Sequence, residues 1–287
     1  MTGNLAAASH PTRYGVVAGS GQIPVDLCAR LAAEGHVPIV FMLEGEANEA
    51  LRHYRHFPAS TARIGDIVKT AHKQGVTHMV MVGGVHRRPL LREFRPDLFT
   101  LKLLPRVLAA LRMGDDGILA QIVTGLEERG LRVVGVHELM PDMVAEAGPM
   151  GRVKPSKAEA DSVQLGAQAA LTLGTLDAGQ GVVVTGKRVV ALEGAEGTDA
   201  MVLRIADLKA SGRLTDKRAG VLVKVAKPGQ ELRVDMPTIG VQTVRNAAKA
   251  KLAGIAVQAG QTLIVDRQAV EKAADEAGLF IFGLDAP

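Results

Sequence analysis

Tryptophan is absent from the 287-residue chain, and aromatic residues make up only 3% of it. Readers of single-stranded nucleic acid stack bases on aromatic side chains, so this composition argues against that class and no nucleic-acid partner is expected. Cysteine occurs once, at Cys28, inside an apolar helical pattern. A lone thiol makes no intrachain disulfide and no cysteine-based zinc site, which points to a reducing compartment and a small buried residue. No run approaches the ~18 apolar residues of a membrane span, and the start, MTGNLAAASHPTRYG, lacks a basic segment followed by an apolar core. A cytoplasmic protein is expected. An excess of one sign of charge is also small: 34 Lys and Arg against 30 Asp and Glu leave a formal +4, which suits an anionic partner without demanding one.

What is present is apolar and periodic. A hydrophobic fraction of 47% supports folded cores, and the length suits two domains. Short β-branched runs (YGVVA at Tyr14 to Ala18, VPIVFML at Val37 to Leu43, THMVMVGG at Thr77 to Gly84) alternate with the amphipathic segments PVDLCARLAAEG and RIGDIVKTAHKQG. This is the rhythm of a parallel, helix-covered sheet. LKLLPRVLAALRMG and DDGILAQIVTGLEERG read as two further helices, the second capped by Asp115 or Asp116, before the strand LRVVGV. Residues 1–137 are therefore expected to form a Rossmann-like N-terminal domain. Residues 138–156 carry three prolines and no clear period, as an interdomain connection would. From 157 to 287 a mixed α/β C-terminal catalytic domain is expected: a helix from about Lys157, two strands flanking a hairpin at Thr185-Gly186-Lys187, the strand AGVLVKV, the helix TVRNAAKAKLAG, and short strands GIAVQ, TLIVD and LFIFG with a helix between the last two.

Several chemistries lack their motif. There is no GxSxG elbow and no GxxxxGK[ST] loop. Of the eight histidines, only His53 and His56 are closely spaced, and they read as surface residues in a loop beside Phe57. Gly19-Ser20-Gly21-Gln22 follows the first strand and precedes a helix, so its N–H groups could face a phosphate, and Gly83-Gly84 ends another strand of the same sheet. A dinucleotide fingerprint wants a third glycine where Pro24 stands, although Glu44 could close the second strand. An NAD-linked oxidoreductase is the weakest reading.

Two segments are denser in polar chemistry. EGAEGTDAM offers Glu193, Glu196, Thr198 and Asp199, and VLVKVAKPGQELRVDMPTIGVQT crowds Lys224, Lys227, Gln230, Glu231, Arg233, Asp235 and Thr238 around two prolines. Taken singly, each has a plainer reading, as a helix N-cap at Thr198 or Asp199 and as a surface connection. Together they supply cations for phosphate and carboxylates for a divalent metal. Lys224, Lys227 and Arg233 would contact a pyrophosphate, with Gln230, Thr198 and Thr238 as further binding groups. Asp235 and Asp199 are the candidates for metal and water, with Glu196 as a third metal ligand; which acid ligates and which orients water stays open.

The runs EGTDAM, KxxKPxQxxRxDxPTIG from Lys224 to Gly240 and AKLAGI from Ala250, together with AGSGQIP, the GDD at Gly114 to Asp116 and the pair His137-Glu138, resemble the UDP-2,3-diacylglucosamine pyrophosphatases of the LpxI type, which act in lipid A biosynthesis in Gram-negative bacteria. Ser20 departs from the glycine common in that first loop. The resemblance implies a metal-dependent hydrolase, active with Mg²⁺ (or Mn²⁺), that splits UDP-2,3-diacylglucosamine into UMP and 2,3-diacylglucosamine 1-phosphate by attack of water on the sugar-side phosphorus. Asp235 falls on the family's essential aspartate. The first domain would contribute to substrate capture through Gly19, Ser20, Gly21, Gln22, Gly83 and Gly84, with the active site between domains and a homodimer possible. The two-metal calcineurin-like enzymes that catalyse the same hydrolysis are excluded by the missing DxH, GNH and GHxH elements. A diacylated substrate would be met at the inner face of the membrane, where Arg87, Arg88, Arg92 and Arg95 could attract anionic headgroups. A non-catalytic sensor of nucleotide-sugars or lipid intermediates is the alternative, although burying Asp199 and Asp235 beside phosphates gains such a receptor little.

Overall fold

The computed structural model describes residues 12–85, 97, 99–102, 105–106, 115–214 and 220–285, divided into one unit of 1–109 with 120–136 and another of 110–119 with 137–287. In the first unit, β1 (Tyr14–Ala18), β2 (Ile39–Leu43), β3 (Arg55–Ala59), β4 (His78–Val82) and β5 (Arg132–Val133) form a parallel sheet in the order β3-β2-β1-β4-β5. Helices Ile23–Ala33, Ile64–Lys73 and Asp115–Glu127 belong to the same alternation. All five residues of β2, IVFML, are buried, as a parallel strand covered on both faces requires. The fold class is α/β, with a parallel sheet here and a mixed one in the second unit.

β3 was not expected. Its sequence, RHFPA, exposes all but Phe57 and Ala59 and places Pro58 mid-strand. An edge strand tolerates both, because its backbone pairs on one side only. His56 thus sits in a strand, exposed, while His53 ends the 3₁₀ turn Glu49–His53. Most of the helix expected over 101–114, and Arg87, Arg88, Arg92 and Arg95, lie outside the described residues, as do Gly114 and the side chains of Asp115 and Asp116.

The second unit is built on a six-stranded sheet ordered β6 (Gly148–Met150), β13 (Phe280–Leu284), β11 (Gly254–Gln258), β9 (Val221–Lys224), β7 (Gly181–Thr185) and β8 (Arg188–Leu192). β9, β11 and β13 run parallel; β6, β7 and β8 are antiparallel to their neighbours. β10 (Thr238–Ile239) and β12 (Leu263–Ile264) make a separate parallel pair. The stretch 138–156 is structured: a short helix, Val136–Leu139, and a 3₁₀ turn, Pro141–Met143, lead into β6.

Strand alternation sorts the core into two layers. Val221 and Val223 pack with Val163, Ala167 and Ala170 of the helix Lys157–Thr175, while Leu222 faces Met201, Val202 and Ile205 of the helix Gly197–Ala210 and Val244 and Ala247 of the helix Val241–Lys249. A capping box starts the Lys157–Thr175 helix, Ser156 Oγ accepting from Glu159 N–H and Glu159 Oε2 from Ser156 N–H at 2.6 Å. Gly166 makes room for the sheet, since a Cβ there would stand 2.4 Å from Val223 Cγ2. By the same alternation Lys224 follows Leu222 onto the face of the Gly197–Ala210 helix.

Candidate functional site

Lys224 ends β9, the strand of the second unit that pairs parallel with β11 on one side and antiparallel with β7 on the other, and is 7% exposed. Burial pushes its ammonium below the ordinary lysine range, and the charges of Glu193, Asp235 and Asp199, in that order, oppose the shift. Among the described residues its one hydrogen bond is to Thr238 O, at 3.1 Å. An ammonium carries three donors, so two remain for a ligand at a strand's carboxyl end, where open α/β sheets bind theirs.

Beyond β9 the chain turns away through a loop that ties itself down. Lys227 donates from Nζ to Asp177 Oδ1 at 2.5 Å, both side chains being largely buried, and Gly174 lets this loop sit on the end of the Lys157–Thr175 helix: a Cβ there would meet Pro228 Cδ at 3.0 Å. Lys227 is therefore engaged as a clamp on the loop. Gln230, buried, accepts from Lys227 N–H at 2.9 Å through Oε1 and donates from Nε2 to Asp235 Oδ2 at 2.7 Å. One oxygen of Asp235 is thereby fixed. Arg233, expected to contact the pyrophosphate, forks onto Glu231, at 2.8 and 2.7 Å, and this hydrogen bonding holds the Glu231 carboxyl below its usual range. Gln258 accepts from Ala226 N–H at 3.0 Å and anchors the same loop from β11.

The EGTDAM segment opens a helix, but Glu196 occupies the cap position rather than Thr198 or Asp199. Thr198 lies in the first turn and donates to Glu193 Oε1 at 2.6 Å; Glu193, 8% exposed, accepts from Gln180 N–H at 3.3 Å with its other oxygen. Asp199 stands exposed in the same turn, where the helix dipole favours an anion. Glu196 pairs with Arg204 at 3.3 Å. Among the described residues no group of three or more His, Cys, Asp or Glu is placed to hold a metal ion. Mg²⁺ commonly needs only one or two carboxylates, the substrate phosphates completing its shell. Asp199 and Asp235, both near enough to Lys224 to act on its charge, offer hard oxygen donors that fit that mode.

In the first unit the glycine loops lie where the sheet changes direction, between β1 and β4. They close on one another: Gly19 N–H donates to Val82 O and Ser20 N–H to Gly84 O, both at 2.8 Å, and Gly84 N–H returns a bond to Ser20 O at 3.1 Å. Gly19 and Gly83 are required by that approach, for a Cβ on Gly19 would stand 2.4 Å from Gly84 O and one on Gly83 2.6 Å from Ser20 O, at a φ of +97°. Gln22 caps the Ile23–Ala33 helix, its Nε2 bound to Asp26 Oδ1, and Gly21, at φ +98°, is open to solvent. Glu44 borders two cavities of about 430 and 200 Å³ at the ends of β2 and β3.

The second unit thus gathers Thr198, Asp199, Lys224, Gln230, Asp235 and Thr238, and turns Lys227, Arg233 and Glu196 to other partners. Sequence reading missed Asp177, Gln180, Gly181 and Gln258, whose roles depend on register.

Family models extend these observations. The LpxI N-terminal domain matches residues 13–143 and the LpxI C-terminal domain residues 146–282. A protein of Caulobacter vibrioides, the UDP-2,3-diacylglucosamine pyrophosphatase LpxI, is 40% identical over 274 residues, which cover 95% of this chain and 98% of its own length.

Proposed function

The chain belongs to the LpxI family and is a hydrolase, and from that premise we propose that it cleaves the pyrophosphate of UDP-2,3-diacylglucosamine to UMP and 2,3-diacylglucosamine 1-phosphate, a step of lipid A biosynthesis. The observation that carries this reading is the Lys224 ammonium, buried beside Glu193, Asp235 and Asp199 with two donors to spare among the described residues. A desolvated cation of this kind stabilises charge that develops on phosphoryl oxygens far better than one in water. Water adds to the sugar-side phosphorus, the bond from that phosphorus to the bridging oxygen breaks, and UMP leaves with that oxygen while the water's proton passes to a carboxylate or to solvent. Gln230 aims Asp235 for its part, and Thr198, in the first turn of its helix, faces a pyrophosphate with its backbone N–H, its hydroxyl proton being held by Glu193.

A divalent cation, Mg²⁺ or Mn²⁺, would be held by Asp199 and Asp235 and would supply Lewis-acid polarisation of the phosphoryl oxygens. Two acyl chains confine the substrate to a membrane, so the enzyme works at the membrane surface; no helix among the described residues is long and apolar enough to cross it.

Purified protein incubated with UDP-2,3-diacylglucosamine and Mg²⁺ is expected to release UMP and 2,3-diacylglucosamine 1-phosphate in equal amounts. Absence of UMP overturns the reaction, and full turnover in excess chelator after verified metal removal overturns the metal. UDP-N-acetylglucosamine is expected to react far more slowly; an equal kcat/KM would recast the enzyme as a general nucleotide-sugar pyrophosphatase.

A further inference from the structure

A bulge in the β7–β8 hairpin decides which residue faces Lys224. Thr185 pairs with Arg188 and Val184 with Val189, but Val183 then pairs with Ala191 and Val182 with Leu192, so Val190 is the extra residue. Continued by one pair, this register sets Glu193 against Gly181, and Glu193 N–H donates to Gly181 O at 2.9 Å. Gly181 is in turn paired with Lys224 on β9. Residues directly opposite in antiparallel strands share a face, so Glu193, Gly181 and Lys224 stand in one row across three strands. Without the bulge, the exposed Leu192 would hold the position of Glu193, because a one-residue slip reverses every face.

Gly181 is what lets the row function. A Cβ there would stand 2.6 Å from Glu193 Oε2, on the path by which the carboxylate leans toward β9. Both carboxylate oxygens are occupied, one by the Thr198 hydroxyl at 2.6 Å and one by Gln180 N–H at 3.3 Å. Among the described residues Glu193 makes no hydrogen bond to Lys224, so it works on that ammonium through its charge and on Thr198 by direct contact. A buried ammonium with no counter-charge is costly and loses its proton readily. Asp199 and Asp235 are committed to the reaction in the reading above, which leaves Glu193 as the constant counter-charge.

We propose that Glu193 is a positioning residue of the hydrolase, set by the Val190 bulge and admitted by Gly181, which keeps the Lys224 ammonium charged for the pyrophosphate and pins Thr198, by its hydroxyl, at the start of the helix. This rests on the hydrolase reading and names how its main cation is supported. The test is a double-substitution cycle of Glu193→Gln and Lys224→Met, scored by kcat/KM for UMP release and by Tm. Glu193→Gln alone is expected to lower kcat/KM roughly tenfold or more, whereas on the Lys224→Met background it changes residual activity less than about twofold, as for coupled charges that act as a unit. Tm follows the same pattern, falling with Glu193→Gln and recovering when Lys224→Met is added. Gly181→Ala, which displaces the carboxylate, replaces Glu193→Gln in the cycle if that variant does not fold. Wild-type kcat/KM in Glu193→Gln, or an equal loss on both backgrounds, overturns the proposal. A wild-type enzyme that releases no UMP defeats the hydrolase reading instead, and the Tm arm still decides whether Glu193 and Lys224 are coupled.

Discussion

The two units spend their polar groups differently. At the switch point of the first, where a parallel sheet ordinarily receives a phosphate, the N–H groups of Gly19, Ser20 and Gly84 are satisfied by backbone carbonyls of the facing loop. In the second, among the described residues, a buried lysine keeps two of its three donors while three carboxylates act on its charge. Satisfied groups hold structure together; unsatisfied buried ones are costly, persist where surroundings enforce them, and mark sites. A glycine-rich loop after a strand is thus no proof of a ligand. In the first unit it is a close contact between two turns.

Substitutions should separate the units accordingly. The largest effect is expected from Lys224→Met, which keeps the side chain's length and removes its charge: kcat/KM for UMP release should fall ~10²–10³-fold, the usual consequence of deleting one group that stabilises transition-state charge. Tm should fall, because Glu193 is left buried without its counter-charge, and should recover when Glu193→Gln is added. Activity within threefold of wild type would return Lys224 to the ranks of structural residues. Gly19→Ala should do the reverse, forcing the two first-unit loops apart at a cost of ~1–3 kcal/mol in unfolding free energy. A loss of activity in folded Gly19→Ala protein far beyond what unfolding explains would blur the contrast and give that loop a direct part in catalysis.

Acid should sharpen the contrast within the second unit. Hydrogen bonding from Arg233 lowers the Glu231 pKa in the fold, so the unfolded chain binds the proton first as pH falls. The stabilisation is whole above the ordinary carboxylate range and is lost as pH drops through the lowered folded value. Urea unfolding followed from pH 7 into that range should therefore show a shallower loss for Glu231→Gln than for wild type; parallel curves would mean that the Arg233 fork contributes nothing. The smallest effect belongs to Cys28 of the first unit, whose burial pushes its thiol up to about 12. It should stay unreactive toward a disulfide reagent at pH 8 in the native protein and react on unfolding. Rapid native labelling would show that the helix carrying it opens.

Much of the fold was legible because the strands and helices of both units carry clean periods: YGVVA, VPIVFML and THMVMVGG mark β1, β2 and β4, and AGVLVKV marks β9. β3 and β6 escaped notice because RHFPA and GPM owe their strand form to pairing with β2 and β13 rather than to any preference of their own. For the site, residue types sufficed to gather Thr198, Asp199, Lys224 and Asp235. Partner choice was not legible: Arg233 pairs two residues back with Glu231, Lys227 reaches Asp177, and Gln230 rather than Arg233 holds Asp235. The placing of Glu193 over Gly181 was further hidden, since one bulged residue, Val190, reverses the faces of the strand that leads to it.

That the second unit carries the chemistry is tested most directly at Asp235. Asp235→Asn keeps a group that Gln230 can hold and removes the charge, so Tm should stay within a few degrees while kcat falls at least ~10²-fold, the lower end for a group that handles a proton or positions water. Near-wild-type UMP release by folded Asp235→Asn protein would contradict the account and move the search for the catalytic acid to Asp199 or Glu196.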